Sequence, residues 1–186
     1  MNDTSAPHRD GDEESLTVVL AGLDGADTAL AGSIILRHLP APAQASVIER
    51  LRPRRYDAGE FIFNRSDPDH AGVHTVVHGQ AVVYARGPLN SGEPLAVVLP
   101  GELLGEYRAI MGSAGHVDVL AAVPTVTAML ERQDFLDLVH AHPALSNHLL
   151  RRVIDTVRHL SGRVDGFHVL DRELGKMSRE LLRASI

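Results

Sequence analysis

From Leu16 to Arg52 apolar residues recur at helical spacing: Leu16, Val19, Leu20 and Leu23, then Ile34, Ile35 and Leu39, then Val47, Ile48 and Leu51. Gly22, Gly25, Gly32 and the Leu39-Pro40-Ala41-Pro42 stretch divide this region into short helices. At Tyr56 the pattern changes. Asp57-Ala58-Gly59-Glu60 reads as a turn, and short β-type runs follow at Phe61–Phe63, Val73–Val77, Ala81–Tyr84, Leu95–Leu99, Val117–Ala122 and Thr125–Leu130. Turn clusters separate them at Ser66–Gly72, His78-Gly79-Gln80, Arg86–Pro94, Pro100-Gly101-Glu102 and Gly112–Gly115. Strands this short, with turns this frequent, predict a small β sandwich, jelly roll or barrel. Leu104–Met111 departs from the β pattern and predicts a short helix opening at a Gly-Glu pair.

After Glu131 the helical period returns, with one short helix over Asp134–His140 and a long one opening at Pro143, a residue favoured in a first helical turn. Along the long helix Leu150, Val153, Val157, Leu160, Val164 and Phe167 step by three and four, forming a narrow seam between polar flanks. This seam is the candidate dimer interface; the alternative is a helix lying on its own β domain. A last helix is expected from Asp171 nearly to Ile186, with Leu170, Leu174, Met177 and Leu181 on one face. The domain reading is an acidic disordered tail (1–15), a helical lead-in with a β-roll sensory domain (16–141), and the long helix with its terminal helix (142–186).

Composition narrows the chemistry. The 186 residues are 44% hydrophobic and 23% charged, ordinary for a globular domain. Cysteine is absent, which excludes disulfides, thiolate metal sites and a cysteine nucleophile. No apolar run approaches the roughly 18 residues of a membrane span, and the polar N-terminus is no signal peptide, so a cytoplasmic protein without membrane contact is expected. The net charge of −6 argues against nonspecific DNA binding.

The β region, the short lead-in helices and the long C-terminal helix carry three further signatures. They are Tyr56-Asp57-Ala58-Gly59-Glu60, Gly79 after an apolar strand, and Pro100-Gly101-Glu102-Leu103-Leu104-Gly105-Glu106. Together they resemble the cyclic nucleotide-binding domain, in the catabolite activator (cyclic AMP receptor)-like branch of bacterial regulators, over roughly residues 34–183. The resemblance implies an α+β fold: a β jelly roll or barrel with N-terminal helices, a short cassette helix and a long dimerisation helix. It implies that amides at the start of the cassette helix face a cyclic nucleotide's phosphate, that Gly105 lets the backbone approach, and that Glu106 accepts from the ribose 2′-hydroxyl. The ligand-binding candidates it marks are Leu104, Gly105, Glu106, Tyr107, Arg108, His116, Val117 and Ser161, the last touching the base from a partner subunit.

The sequence departs from the family at the phosphate. In ungapped register His116 stands where the family has an arginine, Val117 where it has a hydroxyl residue, and Asp118 where it has a small one. A histidine is mostly neutral at pH 7 and makes no bidentate phosphate contact, and an inward Asp118 would repel the anion. Arg108 stands two residues after Glu106 as a substitute, but the expected reading is a solvent-facing helix residue. Ordinary cyclic AMP or cyclic GMP binding is therefore in doubt, and no other cofactor is implied.

The family's DNA reader follows the hinge, and only its first helix is expected here, over Asp171–Ala184. Residues 151–186 hold eight basic and five acidic side chains, a weak footprint for nucleic acid. Direct DNA binding is not expected; a protein partner at the C-terminal helices is. His70, His74 and His78 sit on a strand-like run too extended to share one metal, and the histidines are expected at the surface or in loops. No nucleophile elbow, P-loop or Rossmann fingerprint appears, so neither a catalytic nor a metal site is expected. The reading is a dimeric, non-enzymatic sensory or transcription-regulator-like domain with a degenerate cassette. The alternatives are a ligand-independent interaction module and a truncated transcription regulator.

Overall fold

The computed structural model describes residues 15–64, 72–84, 94–112 and 117–161, with the backbone alone for 156–161. Four short helices lead in: α1 (Leu16–Ala21), α2 (Ala26–Ala31), α3 (Ile34–Arg37) and α4 (Ala41–Arg50). Ser33 caps α3 by accepting from the Leu36 amide, and Pro42 stands in the first turn of α4, where its missing N–H costs nothing. The strands are β1 (Arg52–Tyr56), β2 (Phe61–Phe63), β3 (Val73–His78), β4 (Ala81–Tyr84), β5 (Ala96–Val98), β6 (Leu103–Leu104), β7 (Asp118–Ala121) and β8 (Thr125–Leu130). Helix α5 (Glu106–Met111) interrupts them, and α6 (Arg132–Ala141) and α7 (Pro143–Ser161) follow.

Two four-stranded antiparallel sheets form, in the orders β1-β8-β3-β6 and β2-β7-β4-β5. In the first sheet β3 and β8 are buried on both faces. Val73, Val77, Val126, Ala128 and Leu130 pack against the helices. Val76 points the other way, into a second core shared with Tyr56, Ile62, Phe63, Leu104, Val119 and Ala121, between the sheets. That two-sided burial is why these strands read as continuous apolar runs. The second sheet alternates: Val119 and Ala121 face inward while Phe61, Leu120, Val82 and Val97 align across the register on its outer face.

The α+β roll with its lead-in helices, cassette helix and long helix is as expected, with two omissions. Helical spacing is read as far as Arg52 and the first strand at Phe61–Phe63, yet Arg52–Tyr56 is already a strand. Three arginines and a proline conceal it; β1 is an edge strand, where proline is tolerated because one side of its backbone needs no partner. Leu103–Leu104, expected partly within the cassette helix, pairs with His74 and Thr75, so α5 opens only at Glu106. The terminal helix over 171–186 and the tail over 1–14 lie outside the described residues.

Helix α7 puts Leu145, Leu149 and Val153 into the helical core beside Phe135 and Val139, and Leu150 packs half-buried against them. Val153 thus corrects the expected seam. It belongs to two helical stripes at once, and the core of its own chain takes it. Among the described residues no helix is long and apolar enough to cross a membrane.

Candidate functional site

The cassette is built where β6 turns into α5. Gly105 makes the turn at φ 86°, and a Cβ there would lie 2.7 Å from Phe63 Cζ and 2.8 Å from the Gly72 carbonyl oxygen, so only glycine fits. The turn sends Glu106 inward, where it is 3% exposed. Its Oε1 lies 3.4 Å from Arg152 Nε on α7, near enough to pair but without an aligned hydrogen bond. Arg152 also donates through Nη2 to the Leu103 carbonyl at 3.3 Å, and its guanidinium hydrogen-bonds the Tyr107 side chain. One arginine of the long helix thereby holds the strand, the first carboxylate and the first aromatic of the cassette. Burial pushes the Glu106 carboxyl above the usual carboxylate range, and the Arg152 charge pulls it back.

Arg108 corrects the solvent-facing expectation. It is 8% exposed, its Nη1 donates to the Asn64 carbonyl at 3.2 Å, and its guanidinium lies 5.5 Å above the Phe63 ring. The reason is the shortness of α5. Six residues packed against β3 and α6 leave little outward surface, and an arginine accommodates burial by laying its stem along an aromatic and its head on a carbonyl.

The other candidates divide. Leu104 is in the core between the sheets, and Val117 packs half-buried on that same core. Alternation from Val117 and Val119 puts Asp118 on the opposite face of β7, where it is nonetheless buried, at 5% exposure. Ser161 ends α7, and Val157 and Leu160 lie on it by backbone alone. His116, Val164 and Phe167 lie outside the described residues.

Sequence reasoning missed a polar set between the sheets. His74 is buried, not at the surface: its Nδ1 lies 2.9 Å from Thr127 Oγ1, and its ring meets Phe63 edge-on with centroids 5.0 Å apart. Tyr56 completes the set. Burial pushes its phenol up, while Arg54 and a hydrogen bond with Thr127 pull it down, and the net shift is upward. The parity of His74 with Val76 along β3 is the signal that places it inside. Among the described residues no group of three acidic or histidine side chains is placed to hold a metal ion.

Comparison with known proteins completes the description. Residues 53–142 match the family model of the cyclic nucleotide-binding domain. No curated protein matches the chain. The fold is shared with the catabolite activator protein of Thermus thermophilus, at a TM-score of 0.60 and 19% identity over 82% of this chain and 84% of that one. It is shared with the sensor domain of the transcriptional regulator DNR from Pseudomonas aeruginosa, at 0.61 and 14% over 77% and 95%. A third likeness is the regulatory subunit of a cAMP-independent protein kinase A from Trypanosoma brucei, solved as a triple variant with cAMP, at 0.51 and 18% over 67% and 49%.

Proposed function

Residues 53–142 are a domain of the cyclic nucleotide-binding family, and from that premise we propose that the protein is a dimeric, non-catalytic regulatory module whose degenerate cassette no longer takes cyclic AMP or cyclic GMP in the ordinary way. The observation that carries this reading is the state of Glu106. Its carboxylate, the group a ribose hydroxyl would meet, is buried and already held by Arg152. A ribose must then compete with an ion pair, without an arginine at 116 to gain the compensating phosphate contact. Signalling passes through α7 to a protein partner at the C-terminal helices, because Arg152 makes the cassette and the long helix one connected unit. The Trypanosoma brucei relative supports the reading by analogy: it is described as cAMP-independent, and it was solved with cAMP as a variant carrying an introduced arginine.

Buried Arg108 favours one alternative, in which it supplies the phosphate contact itself. Thermal unfolding of the full chain with cyclic AMP or cyclic GMP separates the two. A ligand at a hundredfold excess over its dissociation constant stabilises a fold by about 2.7 kcal/mol, which for a chain this size is roughly 5–10 °C. No shift is expected for the wild type, and an upward shift is expected for His116→Arg with Val117→Ser. A wild-type shift abolished by Arg108→Met would establish the alternative. A double variant that folds yet stays inert would favour the ligand-independent interaction module.

The dimer is tested separately. With Val153 inside its own core, the pairing surface rests on the later seam residues, and Val157→Glu with Leu160→Glu is expected to halve the mass measured by light scattering. A mass unchanged by both substitutions would place the interface elsewhere.

A further inference from the structure

The lead-in helices and α7 meet at a cluster of basic groups that the cassette does not use. His38 caps the end of α3, and His148 faces it from α7 with ring centroids 4.5 Å apart and planes tilted by 33°. Arg37 lies against both. Its Nε donates to His38 Nε2 at 3.2 Å, and its Nη2 stands 3.3 Å from His148 Nε2. A guanidinium has only donors to offer. Each Nε2 that faces it must therefore present a lone pair, which leaves both imidazoles neutral with their protons on Nδ1.

We propose that this contact is a proton-operated clasp: neutral imidazoles join α3 to α7 around Arg37, and protonation opens the joint by placing N–H⁺ groups against the guanidinium. Among the described residues, the charges acting on the two rings include no carboxylate to pair with an added proton. The charges acting on His148 are His38, Arg37, Arg152 and Arg151, and on His38 the Arg37 charge alone. Helix α6, also packed on α7, contributes none of them. Burial first, and these cations second, hold both rings below the ordinary histidine range. The sign follows from linkage. A base whose folded pKa is depressed binds its proton better once the contact is broken, so the clasp is fully closed above about pH 6.5 and is lost as pH falls below it.

Two features extend the effect beyond the rings. The α3–α4 corner moves as a unit, because Gln44 Nε2 donates to the carbonyls of both Leu36 and Leu39 at 3.0 Å. On the other side, Arg152 stands one turn after His148 on α7 and holds Glu106. Opening the clasp releases the helix that holds the cassette carboxylate. That last link rests on the reading of α7 as the output helix; the clasp does not.

The test is amide hydrogen exchange on the full chain at pH 7.5 and pH 5.5, corrected for intrinsic rates, with His38→Phe/His148→Phe alongside. Protection over residues 34–39 and 146–152 is expected to fall about tenfold or more in the wild type at the lower pH, and to stay level in the variant. Imidazole nitrogen shifts of the wild type provide a readout independent of the variant's folding, with both rings expected as neutral Nδ1–H tautomers at pH 7.5. Unchanged wild-type protection, or rings titrating near pH 6.5, would overturn the clasp. If the clasp holds while Val157→Glu/Leu160→Glu leaves the dimer intact, the fault lies in the dimer assignment on α7 and not here.

Discussion

Replacing Gly79 by alanine is expected to destabilise the fold by about 3 kcal/mol, lowering the unfolding midpoint by roughly 6–12 °C. Gly79 turns β3 into β4 at φ 84°, a left-handed conformation that side chains disfavour. The larger cost is space. An added Cβ would lie 2.4 Å from the Pro124 carbonyl oxygen and 2.8 Å from the Thr125 Cα, and both are backbone atoms. They cannot move aside cheaply. The Gln80 amide donates to Thr125 Oγ1 at 3.1 Å, that oxygen stands 2.7 Å from the Val123 carbonyl, and the Ala122 amide donates to the Gln80 carbonyl. Gly59 is the control: its φ is 85°, yet nothing lies within 4 Å of its added Cβ. Gly59→Ala should cost only the backbone term, about 1 kcal/mol. Urea midpoints for the two variants separate strain from crowding. Equal losses would show that the Pro124–Thr125 turn yields.

Arg152→Met is expected to cost about 2 kcal/mol at pH 7, because it leaves the Glu106 carboxylate buried without its cation. The figure is below that of a fully buried pair, since the Arg152 side chain is 28% exposed and water screens it in part. The pH dependence distinguishes this cause from lost packing. Glu106 has a folded pKa raised above its unfolded value, chiefly by burial. Its contribution is therefore most favourable below about pH 4.5 and declines as pH rises through the folded pKa. Removing Arg152 raises that pKa further, so the penalty should grow from pH 5 to pH 7. Adding Glu106→Gln should recover most of the loss and flatten the pH profile. A penalty independent of pH, or one that Glu106→Gln does not rescue, would mean that Arg152 matters through its bond to the Leu103 carbonyl instead.

What the sequence determined by itself was local. Period, turn glycines and prolines located six of the eight strands, a short helix opening at the Gly105-Glu106 pair and the long helix opening at Pro143. Those signals depend on near neighbours along the chain, so they survive without knowledge of the fold. Strands β1 and β6 escaped because their pairing is with distant segments: β1 carries arginines and a proline tolerated only at an edge, and β6 is two residues long.

The environment of each site residue was decided by the tertiary structure alone. Arg108 reads as a surface residue until Phe63 and Asn64 are laid against it, and His74 until the second sheet covers β3. Val153 fits a dimer seam as well as an internal stripe, and only the packing of α7 on α6 chooses between them. The ion pair of Arg152 with Glu106 joins residues 46 positions apart, and no local pattern marks either as the other's partner. Burial and pairing are properties of whatever lies across from a residue. The chain specifies that opposite surface only once it has folded.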